Sequence, residues 1–274
     1  MALIFFKPVE VFSQMKPYCG VRCLLFFVFY IFAPVCFAEF DANVGLSGRT
    51  YPVAGIGYTQ VGYSKKMYGS GIWEGFTRLY GELEGTTNYL GYSGAIEVFP
   101  VSFLGLRVGT NTQDNRSSYK SFNCKVRNCE GTYTEEFVEG DFAVKWANVF
   151  AFGRMRKSIW EESKDRGGVA EEEEWIEPGS GLAMPQEELQ EVMGFRWGVG
   201  YDWSANWKLM FVQQRYWADT PDQKSTLSLG MVKYSAGDFS VTGGLGNYSS
   251  DLKSNGTTGI LGVKYGFGKN PNPL

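Results

Sequence analysis

Histidine is absent from the 274-residue chain. Without imidazole there is no Ser–His or Asp–His catalysis, and no mixed cysteine–histidine zinc site. Also missing is any run of roughly 20 apolar residues, which excludes a bundle of membrane helices; the mean hydropathy is only -0.20. No basic surplus exists either. The 26 Lys and Arg stand against 29 Asp and Glu, a formal net charge of -3, which argues against nucleic acid as a partner. Cysteine is sparse, at 5 residues.

What the chain does have is 35 glycines and 16% aromatic residues. That combination suits a β protein of many short strands and turns. The longest apolar run is Leu24–Ala33, preceded by Lys7, Lys16 and Arg22 and followed by Cys36, Phe37 and Ala38. A basic flank, a short apolar core and a small residue describe a secretory signal, with cleavage after Ala38 and Met15 as a second candidate start. A membrane anchor is the competing reading, but the run is short for a span. Cleavage removes Cys19, Cys23 and Cys36 and leaves Cys124 and Cys129. An even pair in an exported chain points to a disulfide closing the loop 124–129.

The period of the remaining chain is two. In Met193–Trp203, Met193, Phe195, Trp197, Val199, Tyr201 and Trp203 fall on one parity, and Gly194, Arg196, Gly198, Gly200 and Asp202 on the other. Strict alternation is a strand signal. The pattern recurs at Leu90–Val98, Leu104–Gly109 and Leu261–Phe267. The stretch Ile72–Gly85 fits a helical stripe as well, but Gly75 and Gly81 count against a helix. As a strand, it sets Glu74, Phe76, Arg78, Tyr80 and Glu82 on one face.

An all-β fold follows, with strands expected near 40–48, 53–63, 71–83, 89–99, 101–111, 131–146, 151–163, 188–203, 207–217, 225–235, 239–248 and 258–268. Counts of ten or fourteen are the alternatives. The connections at Pro100, 204–206 and 236–238 are tight, whereas 111–130, 164–187, 218–224 and 249–256 read as longer and polar. From Phe99 onward short and long alternate, as in barrels with short periplasmic turns and longer outer loops. The expectation is a closed antiparallel transmembrane β-barrel over 39–268, behind a signal peptide 1–38 and ahead of a tail 269–274. It must close, because an open edge in lipid leaves backbone groups unpaired at several kcal/mol each. A soluble secreted β-sandwich is the structural rival.

The run Gly262-Val-Lys-Tyr265-Gly-Phe267 resembles the Gly-x-x-aromatic-x-aromatic end of bacterial outer-membrane barrel proteins. It departs at Ile260, where such ends carry a polar residue, and in continuing beyond Phe267. The segment Ile96–Gly109 resembles a strand–turn–strand of small, poorly characterised outer-membrane barrel families with a porin-like strand pattern. The resemblance implies an outer-membrane address, contact with lipid and lipopolysaccharide, and handling by the barrel assembly machinery during biogenesis. It brings no catalytic residue and no cofactor. Twelve-stranded enzyme barrels of the omptin-like, phospholipase and lipid A deacylase kinds rely on a histidine that this chain lacks.

Alternation makes Glu74, Arg78, Glu82, Glu97, Arg107, Glu135 and Glu139 candidate lumen charges. Lys145, Arg196, Asp202, Arg215 and Lys264 complete the set. Both signs occur. Paired, such charges would plug a narrow barrel; held apart around water, they would line a weakly selective pore. The leading expectation is a barrel without enzymatic activity, acting as a narrow channel for small solutes or ions. One alternative is a plugged barrel binding a partner through its acidic outer loops, 112–130 and 164–187. Another is a carboxylate-dependent hydrolase using Glu135, Glu139 and Asp141. The acidic run Glu171–Glu174 lacks the ordered Asp-x-Asp-x-Asp-Gly loop of a calcium site and reads as solvated. No metal is expected, and Gly243–Gly246 and Gly55–Gly57, which resemble fragments of nucleotide loops, sit in strand patterns with no following helix and read as barrel glycines. Oligomeric state leaves no trace in the pattern.

Overall fold

The computed structural model describes residues 38–50, 53–86, 89–116, 129–164, 174–177, 182–185, 189–218, 222–251 and 253–268. The expected signal peptide up to residue 37, the tail 269–274 and Cys124 lie outside the described residues.

Strands β1 (Ala38–Thr50), β2 (Val53–Tyr68), β3 (Gly75–Gly85), β4 (Tyr89–Val101) and β5 (Leu104–Asn115) come first. They are followed by β6 (Gly131–Trp146), β7 (Val149–Lys164), β8 (Glu174–Glu177) and β9 (Leu182–Pro185). The chain continues through β10 (Gln190–Asp202), β11 (Trp207–Ala218), β12 (Gln223–Ala236), β13 (Phe239–Ser250) and β14 (Lys253–Gly268). All but β8 and β9 form one closed barrel, and those two pair as a separate small sheet. The barrel is therefore twelve-stranded, as the alternation predicts. β7 and β10 pair across the β8–β9 insertion, and β1 pairs antiparallel with β14 to close the ring.

Alternation decides which side each residue takes. On β10, Val199 and Tyr201 are exposed on the outer wall, while Gly194, Gly198 and Gly200 are buried on the inner one. The outer wall carries Leu79, Leu83, Leu106, Leu245 and Leu261, all exposed, with Leu245 at 72%. Each such side chain in water forgoes about 1.5–3 kcal/mol of burial. A continuous apolar band of this size exceeds what a soluble monomer exposes. With the backbone edges closed, a bilayer satisfies both conditions. Aromatics concentrate outside at the end with the tight turns, where Trp73, Trp146, Trp203 and Trp207 are exposed and Trp146 reaches 88%. Such rings suit a membrane–water interface.

The tight turns carry their own chemistry. In the β12–β13 turn Gly237 takes φ 58°, which glycine adopts without a Cβ penalty, whereas in the β6–β7 turn Ala147 takes φ 52°.

Several boundaries differ from the sequence reading. The third strand begins at Gly75, because Gly71–Trp73 forms a short 3-10 turn before it. The second runs on to Tyr68, with a register shift near Lys66. The connection expected at 249–256 is short, since Tyr248 pairs with Gly256 and Ser250 with Lys253. The polar residues there satisfy their backbone groups in the β ladder. The β8–β9 hairpin falls inside a stretch read only as acidic loop.

Candidate functional site

The candidate site is the inner wall, and register determines its electrostatics. Moving around the barrel from β3, Arg78 stands opposite Glu97, Glu97 opposite Arg107, Arg107 opposite Glu139, and Glu139 opposite Arg156. Five neighbouring strands thus alternate base and acid in a single row. Opposite charges directly across a strand pair attract, whereas like charges there repel.

The contacts follow the register. Arg78 donates to both oxygens of Asp41, at 3.0 and 2.7 Å, to Glu97 at 3.2 Å and to the side-chain Oε1 of Gln60 at 3.1 Å. Arg107 donates to Glu97 through Nε at 2.7 Å and to Glu139 through Nη1. Arg156 grips Glu135 with two hydrogen bonds, at 2.9 and 2.6 Å. Arg154 holds Asp141 in the same forked way, at 2.6 and 3.3 Å. Such bidentate, charge-assisted bonds are the strong ones. Arg78 is 2% exposed, and Glu97 and Glu139 are 1% exposed. Aromatic faces seal the row: Arg78 and Arg107 lie 5.0 and 5.5 Å from the Tyr80 ring centre, and Arg156 lies 3.7 Å from that of Phe137.

Asp41 belongs to β1 and Arg78 to β3, so their bond crosses the intervening β2. Gly62 makes the crossing possible. A Cβ there would sit 2.5 Å from the Arg78 guanidinium and 2.6 Å from an Asp41 oxygen.

The opposite half of the wall is built otherwise. Arg196 of β10 faces Arg154 on one side and Gln214 on the other. Its side chain is open to solvent within the barrel, and among the described residues it has no acidic partner. Lys208 of β11 stands opposite Lys233 of β12. Lys208 shares Asp202 with Lys145, at 3.4 and 2.5 Å respectively. Lys264 of β14 is exposed and faces Gly45 and Ser240. Between these cations the inner positions are uncharged: Gly198, Gly200, Thr242, Gly244 and Gly262 alternate across the strands with Met210, Val212, Met231 and Ile260. The rings of Phe152 and Phe150 reach over Gly198 and Gly200, which face them in register, and Tyr58 reaches over Gly45.

No known family profile and no curated protein matches the chain. Solved structures do. It is similar to the NanC porin at 11% identity over 82% of this chain and 98% of that one, with a TM-score of 0.41. The KdgM porin gives 9% identity, 83% and 99% coverage and a TM-score of 0.44. A loop L8 deletion mutant of OmpT, an outer membrane protein of Vibrio cholerae, gives 8%, 84%, 99% and 0.42. At such identities the likeness is one of fold. What the lumen does must come from its own residues.

Most of the expected lumen charges do face inward. Arg78, Glu97, Arg107, Glu135 and Glu139 join the ion-pair belt. Glu82 is half-buried and accepts from Gln60 at 2.8 Å. Lys145 and Asp202 pair at the tight-turn end, while Arg196 and Lys264 line the open half. Arg215 requires correction. It pairs in register with outward Phe195, so its exposed side chain lies on the outer wall. Glu74 precedes β3 and forms a part-exposed pair with Lys66 at 3.0 Å, at the end of the barrel rather than along its lumen. The pattern reading overlooked Asp41, Arg154, Arg156, Lys208 and Lys233. Glu135, Glu139 and Asp141 share the inner face of β6 but are strung along the strand, and each carboxylate accepts from arginine. Held this way, the three are the acid side of the belt. No group of three or more metal-ligating side chains occurs among the described residues. Cys129 is buried, and its expected partner Cys124 lies outside the described residues.

At the end with the longer connections the β8–β9 hairpin turns inward. Leu182 is fully buried against Tyr133, Trp160, Val192 and Ala218, all on the inner wall. An apolar contact of that kind narrows the mouth.

Proposed function

We propose that the chain is an outer-membrane channel that passes small water-soluble solutes or ions along the β10–β14 side of its lumen. One observation carries this reading: Arg196 and Lys264 sit on the inner wall yet remain open to solvent. Water reaches them, so that half of the barrel is not packed solid. The filled belt on the other side makes the passage narrow, since a twelve-stranded ring lies between small filled barrels and wide 16–18-stranded porins. The wall needs no enzymatic step for this role. Export with cleavage behind Ala38, a Cys124–Cys129 disulfide, assembly by the barrel machinery and a lipopolysaccharide-facing rim belong to the same reading. The intact mass of the membrane-extracted protein checks the first two. Planar-bilayer recording of purified protein tests the channel itself. Discrete conductance steps are expected; a silent bilayer over a wide voltage range would reject it.

The buried Leu182 favours a second reading, in which the hairpin closes the mouth and the barrel is a plugged scaffold. Deleting residues 174–185 separates the two. A channel narrowed by the hairpin shows a larger unit conductance after deletion. A plugged scaffold is silent before deletion and conducts only after it.

A further inference from the structure

Two cross-strand pairs on the inner wall place base opposite base: Arg154 with Arg196, and Lys208 with Lys233. Like charges directly opposite repel, so such pairs persist where something else supplies negative charge or water. Arg154 already has Asp141, and Lys208 has Asp202. Arg196, Lys233 and Lys264 have no acidic partner among the described residues. Asp202 is the one acid that β10–β14 turn inward among the described residues, and Lys145 competes for it.

We infer that this half of the lumen selects anions over cations, with Arg196 as the point that binds a passing anion. The inference rests on the channel reading. Field lines in a cleft with low-dielectric walls concentrate, which raises the local concentration of counter-ions. Arg196 adds geometry to charge. Its unoccupied guanidinium offers several N–H donors in a fixed fork, which matches the oxygens of a phosphate or carboxylate better than a spherical halide. Gly194 and Gly198 flank Arg196 on the inner face of β10 with no side chain of their own, and Arg196 itself is exposed.

The experiment is a reversal-potential measurement on purified full-length protein in a bilayer under a KCl gradient, with inorganic phosphate then added as probe. Chloride should carry most of the current. Phosphate should reduce the chloride current in the native protein. R196Q should lower the chloride-to-potassium permeability ratio toward unity and relieve the phosphate block. R196K should keep the ratio but weaken the block, because the charge stays and the fork is lost. K264Q provides a second variant on a different strand and should also lower the ratio. R215Q, on the outer wall, should leave both readouts unmoved, and heat-modifiable gel mobility verifies that each variant has folded. Selectivity should fade between roughly 0.1 M and 1 M salt as the Debye length shortens from about 10 Å to about 3 Å. A conducting protein with no anion preference, or a preference that survives both R196Q and K264Q, overturns this inference and leaves the channel standing. Absence of any conductance overturns both.

Discussion

The two halves of the inner wall use the same residue types to opposite ends. From β3 to β7, base faces acid across each strand pair, the carboxylates are gripped by forked arginines, and Arg78, Glu97 and Glu139 are buried. From β10 to β14, base faces base and glycine sits under aromatic rings, with Arg196 and Lys264 still open to water. In the first half, desolvation of the ions is offset by close geometry and by the number of partners. In the second, Arg196 and Lys264 keep their hydration, and Lys208 and Lys233 are only partly buried. A count of inward charges would not separate the halves; their order across the strands does.

The strongest way to break the comparison is Arg107→Ala. The change leaves Glu97 and Glu139 buried with one fewer guanidinium, and removing one member of a buried pair costs about 3–5 kcal/mol. Urea unfolding of the protein in lipid vesicles reads this directly. A loss near the roughly 0–1 kcal/mol of a surface pair would mean that lumen water screens the belt. The two halves would then not differ in kind. Gly62→Ala probes the same half without removing a charge. The added methyl would push into the Arg78–Asp41 bond, and overpacking of this sort costs about 1–3 kcal/mol. In an Arg78→Ala background the cost should fall, because the guanidinium that the methyl strikes is gone and the Asp41 carboxylate is no longer held beside it. An unchanged cost in the double variant would place the strain in the β2 backbone instead.

How much of this could be read from the sequence follows from how strictly each strand alternates. β10 puts Phe195, Trp197 and Tyr201 on one parity and Arg196 and Asp202 on the other, so its orientation was legible. β11 does not alternate. Met210 and Val212 face inward among outward Leu209 and Phe211, and Gln213 and Gln214 are adjacent and both polar. Arg215 could not be assigned from such a run. The polar group it accompanies outside is satisfied in a way only the fold reveals: Gln213 accepts from the Trp197 indole at 3.2 Å and donates to Ser228 at 3.1 Å. Arg154 and Arg156 were legible but overlooked, since Val149, Ala151, Met155 and Ile159 mark the outer parity of β7. So was the β8–β9 hairpin, whose Pro178-Gly-Ser-Gly181 turn signal separates two short apolar pieces. The belt itself was beyond reach, because it depends on register between strands far apart in the chain.

R196E sharpens the comparison with the smallest expected effect. It would set an acid opposite Arg154, which faces Asp141 on its other side, and so extend the base–acid pairing of β6–β7 to β10. Opposite charges across a strand pair contribute about 0.2–1 kcal/mol, so the variant should be slightly more stable than the native protein although it alters an inward residue. The urea midpoint should rise with an unchanged slope, which marks a change in stability rather than in the surface exposed on unfolding. The same substitution removes the free guanidinium, so the chloride preference should fall in the protein that unfolds later. A gain in stability with selectivity intact would mean that Lys233 and Lys264 set the preference alone. A loss of stability would mean that the Arg154–Arg196 pair is already balanced in water, and that the open half has no repulsion left to relieve.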